Sequence, residues 1–243
     1  MLVDNLKIFN NYVNKFDLSD TNIARKFYHS LRVSDNSFNI ANSLNLNEND
    51  KNLTKFIGLT HDIGRFLQWK IYETFEDRKS IDHALLSVQI LFDKNIGFLI
   101  AKDDQQIVQR AIFNHNKYKL AEFLNERELL FAKILRDADK LDLLYLLGEK
   151  EIVLDEDNSE VTDVISEKFW KCQEINTLDC RTLTDKILFK MAFVFDLNFK
   201  WSFERLEKEK LLDNFYNNLK YKNKYKKYYW HVKEYIASKK ISL

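Results

Sequence analysis

Apolar side chains at Leu2, Leu6, Phe9, Val13 and Phe16 recur at steps of three and four, which predicts an amphipathic first helix ending near Asp17. Ser19 or Asp20 then offers a cap for a second helix, whose inner positions are Ile23, Phe27, Leu31, Phe38, Ala41 and Leu44, with His29, Arg32 and Val33 near its middle. Asn47 to Asp50 reads as a turn and cap, after which Leu53, Phe56, Ile57 and Thr60 lead into His61-Asp62 at a helix C-terminus, where Gly64 permits the chain to turn. Ser80 caps a helix with His83, Leu86, Ile90 and Leu91, and Asp103 or Asp104 caps another with Ile107, Ala111 and Ile112 that runs out toward His115. A long helix follows from about Glu126 to Leu147, closed by Gly148.

The acidic stretch from Glu149 to Asp163 breaks the pattern. Beyond it three or four further helices are readable, roughly 163–175, 183–198, 202–220 and 222–238. The division expected is a helical core over 1–148, an acidic loop or linker over 149–162, and C-terminal helices over 163–243 that pack on the core or on a partner.

Composition narrows the fold class further. In 243 residues there is no proline and only four glycines, too few breakers for a sheet-and-turn protein of this size, so the chain is expected to be all-α. Thirty-eight Lys+Arg against 37 Asp+Glu leave no overall basic field, and any polyanion site must be local. Cys172 and Cys180 are too few and too far from histidine for a zinc ribbon or disulfide framework and read as reduced structural thiols. The N-terminus, with Asp4 and several Asn inside its apolar pattern, does not read as a signal peptide, and no run approaches the ~20 apolar residues of a membrane span. A cytoplasmic protein without a membrane partner is the expectation.

Four of the five histidines, His29, His61, His83 and His115, fall in the first half, each within or at the end of a different helix. One such histidine is most often a satisfied core residue, but imidazoles from separate helices can converge inside a bundle to build a metal centre. Carboxylates in suitable positions are Asp62, beside His61, and Asp137, Asp139 and Asp142 in "RDADKLD". No Walker phosphate loop, dinucleotide glycine fingerprint or nucleophile-elbow serine is present to support other chemistries.

Taken in order, His29 in "HSLRV", the doublet His61-Asp62 in "LTHDIGR" and Asp139 in "RDADKLD" resemble the H…HD…D signature of the HD-domain metal-dependent phosphohydrolase superfamily, over about residues 20 to 147. The resemblance implies an HD-type helical bundle with additional C-terminal helices, in which His29, His61, Asp62 and Asp139 are metal ligands. His83 and His115 fall where members with two metals supply further histidines. By that similarity Asp62 bridges two ions, His29, His61 and Asp139 complete the first site and His83 and His115 the second; without His115 the protein is a one-metal member. The resemblance further implies a divalent transition metal, one or two ions of Mn, Fe, Co, Ni or Zn, with sequence unable to choose among them.

Two ions about 3.5–4 Å apart can bind phosphoryl oxygens, generate hydroxide from bound water and stabilise the leaving oxygen. The activity implied is metal-dependent hydrolysis of a phosphate mono- or diester, with a small phosphorylated or nucleotide-like compound as the expected substrate. Arg65, one turn past Asp62, matches a basic position that follows the doublet in this superfamily and is a candidate phosphate ligand against a surface reading. Arg32 and Lys140 are further candidates for substrate or a supporting carboxylate, with a solvated reading beside each. Asp137 and Asp142 are read as orienting ligands or capping neighbours, Tyr72 to Ser80 as an exposed loop or a gate, and His231 as structural.

Two rival functions stand beside the hydrolase. One is an HD nuclease on single-stranded nucleic acid, for which the basic-aromatic "YKNKYKKYYWHVKEY" offers support, although a solvated helix with an aromatic inner stripe explains it too. The other is a non-catalytic metal-containing signalling or scaffold module. Oligomeric state is not readable from the chain.

Overall fold

The computed structural model describes residues 2–242, with side chains described over 3–239. The expected role of Leu2 in the first helix's apolar face lies outside the described side chains. Among the described residues every regular element is helical. The chain divides into two compact units, Met1–Asp139 and Lys140–Leu243, with the division inside one helix rather than in the acidic stretch that follows it.

The first unit contains α1 (Leu2–Val13), α2 (Thr21–Ser43), α3 (Glu48–Thr60), α4 (Gly64–Tyr72), α5 (His83–Leu91), α6 (Gln105–Asn114) and the start of α7 (Glu126–Gly148). Asp20, not Ser19, caps α2 by accepting from the Asn22 N–H, while the Ser19 N–H turns back to Asp17. Asp82, not Ser80, caps α5, accepting from Ala84 and Leu85; Ser80 ends a 3-10 turn over Asp77–Lys79. Carboxylates fit these N-termini because they satisfy orphan N–H groups and complement the helix dipole.

Helix α4 has no counterpart in the sequence-based reading. Its nine residues are too few to develop a period, and they follow α3 after one tight turn. Phe66 from α4 and Phe9 from α1 meet edge to face in a core that also holds Val33, Ile40, Phe56, Ile57, Ile63, Ile112 and Phe131. Burying each such side chain contributes about 1.5–3 kcal/mol.

The two longest of these helices to pair, α2 and α3, are held unusually close at Gly58. A Cβ there would stand 2.7 Å from Ser37 Oγ and 2.8 Å from the Val33 carbonyl oxygen. Gly64 serves the same purpose between α4 and α5, with a hypothetical Cβ 2.7 Å from the His83 carbonyl oxygen and 2.8 Å from the Ser87 nitrogen. The expectation that Gly64 supplies a turn is thereby corrected. Among the described glycines only Gly97 has positive φ, and Gly64 is chosen for lacking a side chain.

The second unit holds the rest of α7 and α8 (Asp163–Trp170), α9 (Leu183–Met191), α10 (Lys200–Lys208), α11 (Leu211–Asn218) and α12 (Lys222–Ser242), around Phe169, Leu188, Met191, Phe203, Phe215, Tyr225 and Val232. The expected 202–220 helix is two, broken where Lys210 adopts φ 53°. The expected 183–198 helix gives way after Met191 to a 3-10 turn over Ala192–Asp196. Residues 149–162 carry no helix but are fixed in place. Glu156 accepts the Lys220 and Tyr221 N–H groups, and the Thr162 N–H donates to Asp185. His231 packs against Trp170 with its Nε2 3.3 Å from Cys172 Sγ.

Candidate metal centre

Close approach of α2 and α3 sets His29, in the middle of α2, against His61, the residue that ends α3, with their Nε2 atoms 3.3 Å apart. Asp139 comes from α7, its Oδ1 3.2 Å from His29 Nε2 and 3.6 Å from His61 Nε2. Asp62 Oδ2 lies 3.5 Å from His29 Nε2 and 3.7 Å from His61 Nε2. These four donors form a first pocket.

The other oxygen of Asp62 faces a second. His83, the first residue of α5, and His115, the residue that ends α6, bring their Nε2 atoms to 3.0 Å from one another. Asp62 Oδ1 is 3.4 Å from His83 Nε2 and 3.6 Å from His115 Nε2. All four histidines and Asp62 are buried. Metal–donor bonds of about 2.0–2.2 Å at tetrahedral or octahedral angles give donor–donor edges of about 3–3.5 Å, close to the spacings found in both pockets.

Hydrogen bonding at the far side of each ring decides which nitrogen faces inward. His61 Nδ1 lies 2.8 Å from the Gly58 carbonyl oxygen and His115 Nδ1 2.6 Å from that of Ile112. A carbonyl only accepts, so Nδ1 carries the proton in both and the neutral ring presents a lone pair at Nε2. His83 Nδ1 donates likewise to Asp77 Oδ2 at 2.6 Å. Burial, followed by the Arg65 guanidinium, pushes the His83 pKa down to about 3, and burial lowers that of His61, so neither ring is charged near neutrality.

The inward face is thus a cluster of acceptors. Burial would raise the Asp62 pKa, but the Lys26 ammonium, 2.6 Å from Oδ2, holds it well below the usual carboxylate range. Its Oδ1 is buried and accepts no hydrogen bond. A buried, ionised oxygen without a donor, facing two imidazole lone pairs, costs free energy in a protein alone and becomes favourable once a cation sits among them. The donor set of imidazoles and carboxylates suits a divalent transition ion.

The other expected residues fall differently. Arg65 Nη1 donates to Gln68 Oε1 at 2.6 Å, to the Phe75 carbonyl at 2.7 Å and to Asp77 Oδ1 at 2.9 Å. Its Nε makes no hydrogen bond and lies 3.7 Å from Asp62 Oδ1. Lys140 is not among these groups: its ammonium pairs with Asp196 inside the second unit. Arg32 is half-buried one turn past His29 and has a partner of its own. Asp137 and Asp142 are buried and engaged.

Sequence reasoning passed over Lys26 and Asp77. Lys26 precedes His29 by one helical turn, a spacing that puts both on one face, and that was the available signal. Asp77 gave none beyond lying in a polar segment six residues before His83.

Residues 27–144, just under half of the chain, match the family model of the HD domain. That stretch is similar to the HD domain, a helical bundle found in general in metal-dependent hydrolases. No curated protein and no solved structure gave a significant match.

Proposed function

We propose that this protein is a metal-dependent phosphohydrolase that cleaves a phosphate mono- or diester, with nucleotide-like compounds the first substrates to test. The observation that carries the reading is Asp62, whose two buried oxygens face different donor groups and one of which has no hydrogen bond. In this reading His29, His61, Asp139 and Asp62 would hold one divalent ion, and His83 and His115, with Asp62, would hold a second. Bound there, the ions would supply Lewis-acid charge and lower the pKa of water.

The chain's own residues do the rest. Carbonyls behind His61 and His115 and the Asp77 carboxylate behind His83 fix each ring so that its lone pair faces inward, with no reorientation needed at loading. Arg65 keeps its Nε–H unpaired beside Asp62, and this is the donor available to a phosphoryl oxygen. Lys26 adds a second positive charge to the same carboxylate.

The test is turnover of phosphomonoesters, nucleotides, cyclic nucleotides, cyclic dinucleotides and short oligonucleotides with manganese, iron, cobalt, nickel or zinc. Wild type is run beside Asp62→Ala and His61→Ala, with helicity checked by circular dichroism. Turnover lost in both variants at unchanged helicity supports the proposal. No turnover of any phosphoester by metal-loaded wild type defeats it, and cleavage confined to oligonucleotides favours the nuclease.

A further inference from the structure

Asp77 lies in the polar segment between α4 and α5, in a 3-10 turn that sequence alone reads as exposed. Its carboxylate is instead the meeting point of four side chains. Oδ2 accepts from His83 Nδ1 at 2.6 Å and from Asn116 Nδ2 at 3.2 Å. Oδ1 accepts from Arg65 Nη1 at 2.9 Å and from Gln68 Nε2 at 3.0 Å. Burial would raise its pKa, yet the His83 hydrogen bond and the Arg65 charge hold it far below the usual carboxylate value.

We infer that Asp77 is the positioning residue of the second pocket alone. The three imidazoles with a visible Nδ1 partner are pinned in two ways. His61 and His115 lean on backbone carbonyls three residues back in their own chain segment, which persist as long as α3 and α6 exist. His83 leans on a side chain from a different segment, so its ring orientation depends on Asp77 staying in place. Asn116 ties the same carboxylate to the residue after His115, and Gln68, itself fully buried, ties it to α4 while also donating to Ser80 and the Ile81 carbonyl. Among the described residues, the donors to Asp77 are His83, Asn116, Arg65 and Gln68, none of which belongs to the first pocket.

The consequence is a separable defect. A carboxylate behind a metal-binding imidazole fixes its tautomer and raises its basicity, and loss of such a partner typically costs 10–100-fold in metal affinity. Removing Asp77 weakens the ion held by His83 and His115 by that factor and leaves the ion held by His29, His61 and Asp139 unchanged.

This rests on the two-pocket reading above, and the experiment separates the two. Full-length wild type, Asp77→Ala and Asp77→Asn are stripped with chelator, titrated with manganese, and followed by elemental analysis after desalting and by calorimetry. The expected result is two ions on wild type, and on Asp77→Ala one ion of unchanged affinity with the other weakened 10–100-fold. Asp77→Asn falls between, because its amide oxygen still accepts from His83 while the charge is gone. Matching circular dichroism among the three excludes misfolding, and the Asn variant keeps the test decisive if the Ala variant fails to fold. Two ions of wild-type affinity on both variants overturn the inference and leave the two-pocket reading standing, as does equal weakening of both ions. A wild type that never takes two ions overturns both.

Discussion

Replacing Gly64 with alanine adds one methyl group where α4 and α5 are closest. The new carbon would stand 2.7 Å from the His83 carbonyl oxygen, 2.8 Å from the Ser87 nitrogen and 3.0 Å from Ser87 Oγ. Two of those three atoms are backbone and cannot rotate away, so the helices must separate by several tenths of an ångström. Forcing extra volume into a packed core costs about 1–3 kcal/mol, and the same movement strains the Gly64 N–H to Ser87 Oγ hydrogen bond, 2.9 Å long. Helix propensity acts in the other direction, by at most about 1 kcal/mol and by less in a first turn. The clash therefore decides the sign. A net loss of about 1–2 kcal/mol, at roughly 2–4 °C per kcal/mol for a chain of this size, lowers the melting temperature by about 2–8 °C. His83 moves with its carbonyl, so manganese affinity falls as well. Thermal unfolding with and without manganese, read by circular dichroism, is the assay. A Gly64→Ala protein as stable as wild type, with unaltered manganese binding, would refute the claim that this glycine is there for close packing.

Two further outcomes are expected. Lys26→Met leaves Asp62 without its ammonium partner and destabilises the metal-free protein by about 1.5–3 kcal/mol, with a smaller loss once manganese is bound; urea unfolding in chelator and in manganese measures both, and equal losses would remove Lys26 as the carboxylate's compensating charge. In chelator, stability also falls with acid. The His83 pKa is about 3 when folded against ~6.5 unfolded, so the unfolded chain binds more protons between those values and stability present above pH ~6.5 is lost progressively toward pH 3. Unfolding midpoints that stay level or rise between pH 7 and 5 contradict this.

Much of the first unit was legible because its helices are long enough to repeat. The 23 residues of α2 show a polar and an apolar face, and the ligand-type residues on it and on α3 sit in motifs with fixed order. Helix α4 was missed for the opposite reason: its nine residues, GRFLQWKIY, are too few and too mixed in polarity to establish a period. The C-terminal breaks after Met191 and at Lys210 were also hidden, since no glycine or proline marks them and lysine carries the left-handed turn. Candidate site chemistry followed a similar rule. Histidines are rare in this chain and stood out, whereas Asp77 and Lys26 are common residue types whose importance comes only from what lies next to them in space. Lys140 was a lesser candidate beside Asp139; adjacent residues on a helix point about 100° apart, and its charge goes to Asp196.

The segment from Glu73 to Ser80 has the composition of a surface loop, yet it is strapped down along its length. Trp69 donates to Asp20, the cap of α2, at 2.7 Å, and its ring lies tilted against that of Phe75 with centroids 4.9 Å apart. The Phe75 carbonyl and Asp77 are then held by Arg65. Polar loops ordinarily tolerate added residues at little cost. This one will not, because lengthening it by even one residue shifts Asp77 relative to His83. A tag or reporter belongs instead in the turn around Gly97, where a side chain would meet nothing within 4 Å. Length variation among related chains is expected to follow the same division, concentrated at that turn and absent between Trp69 and His83.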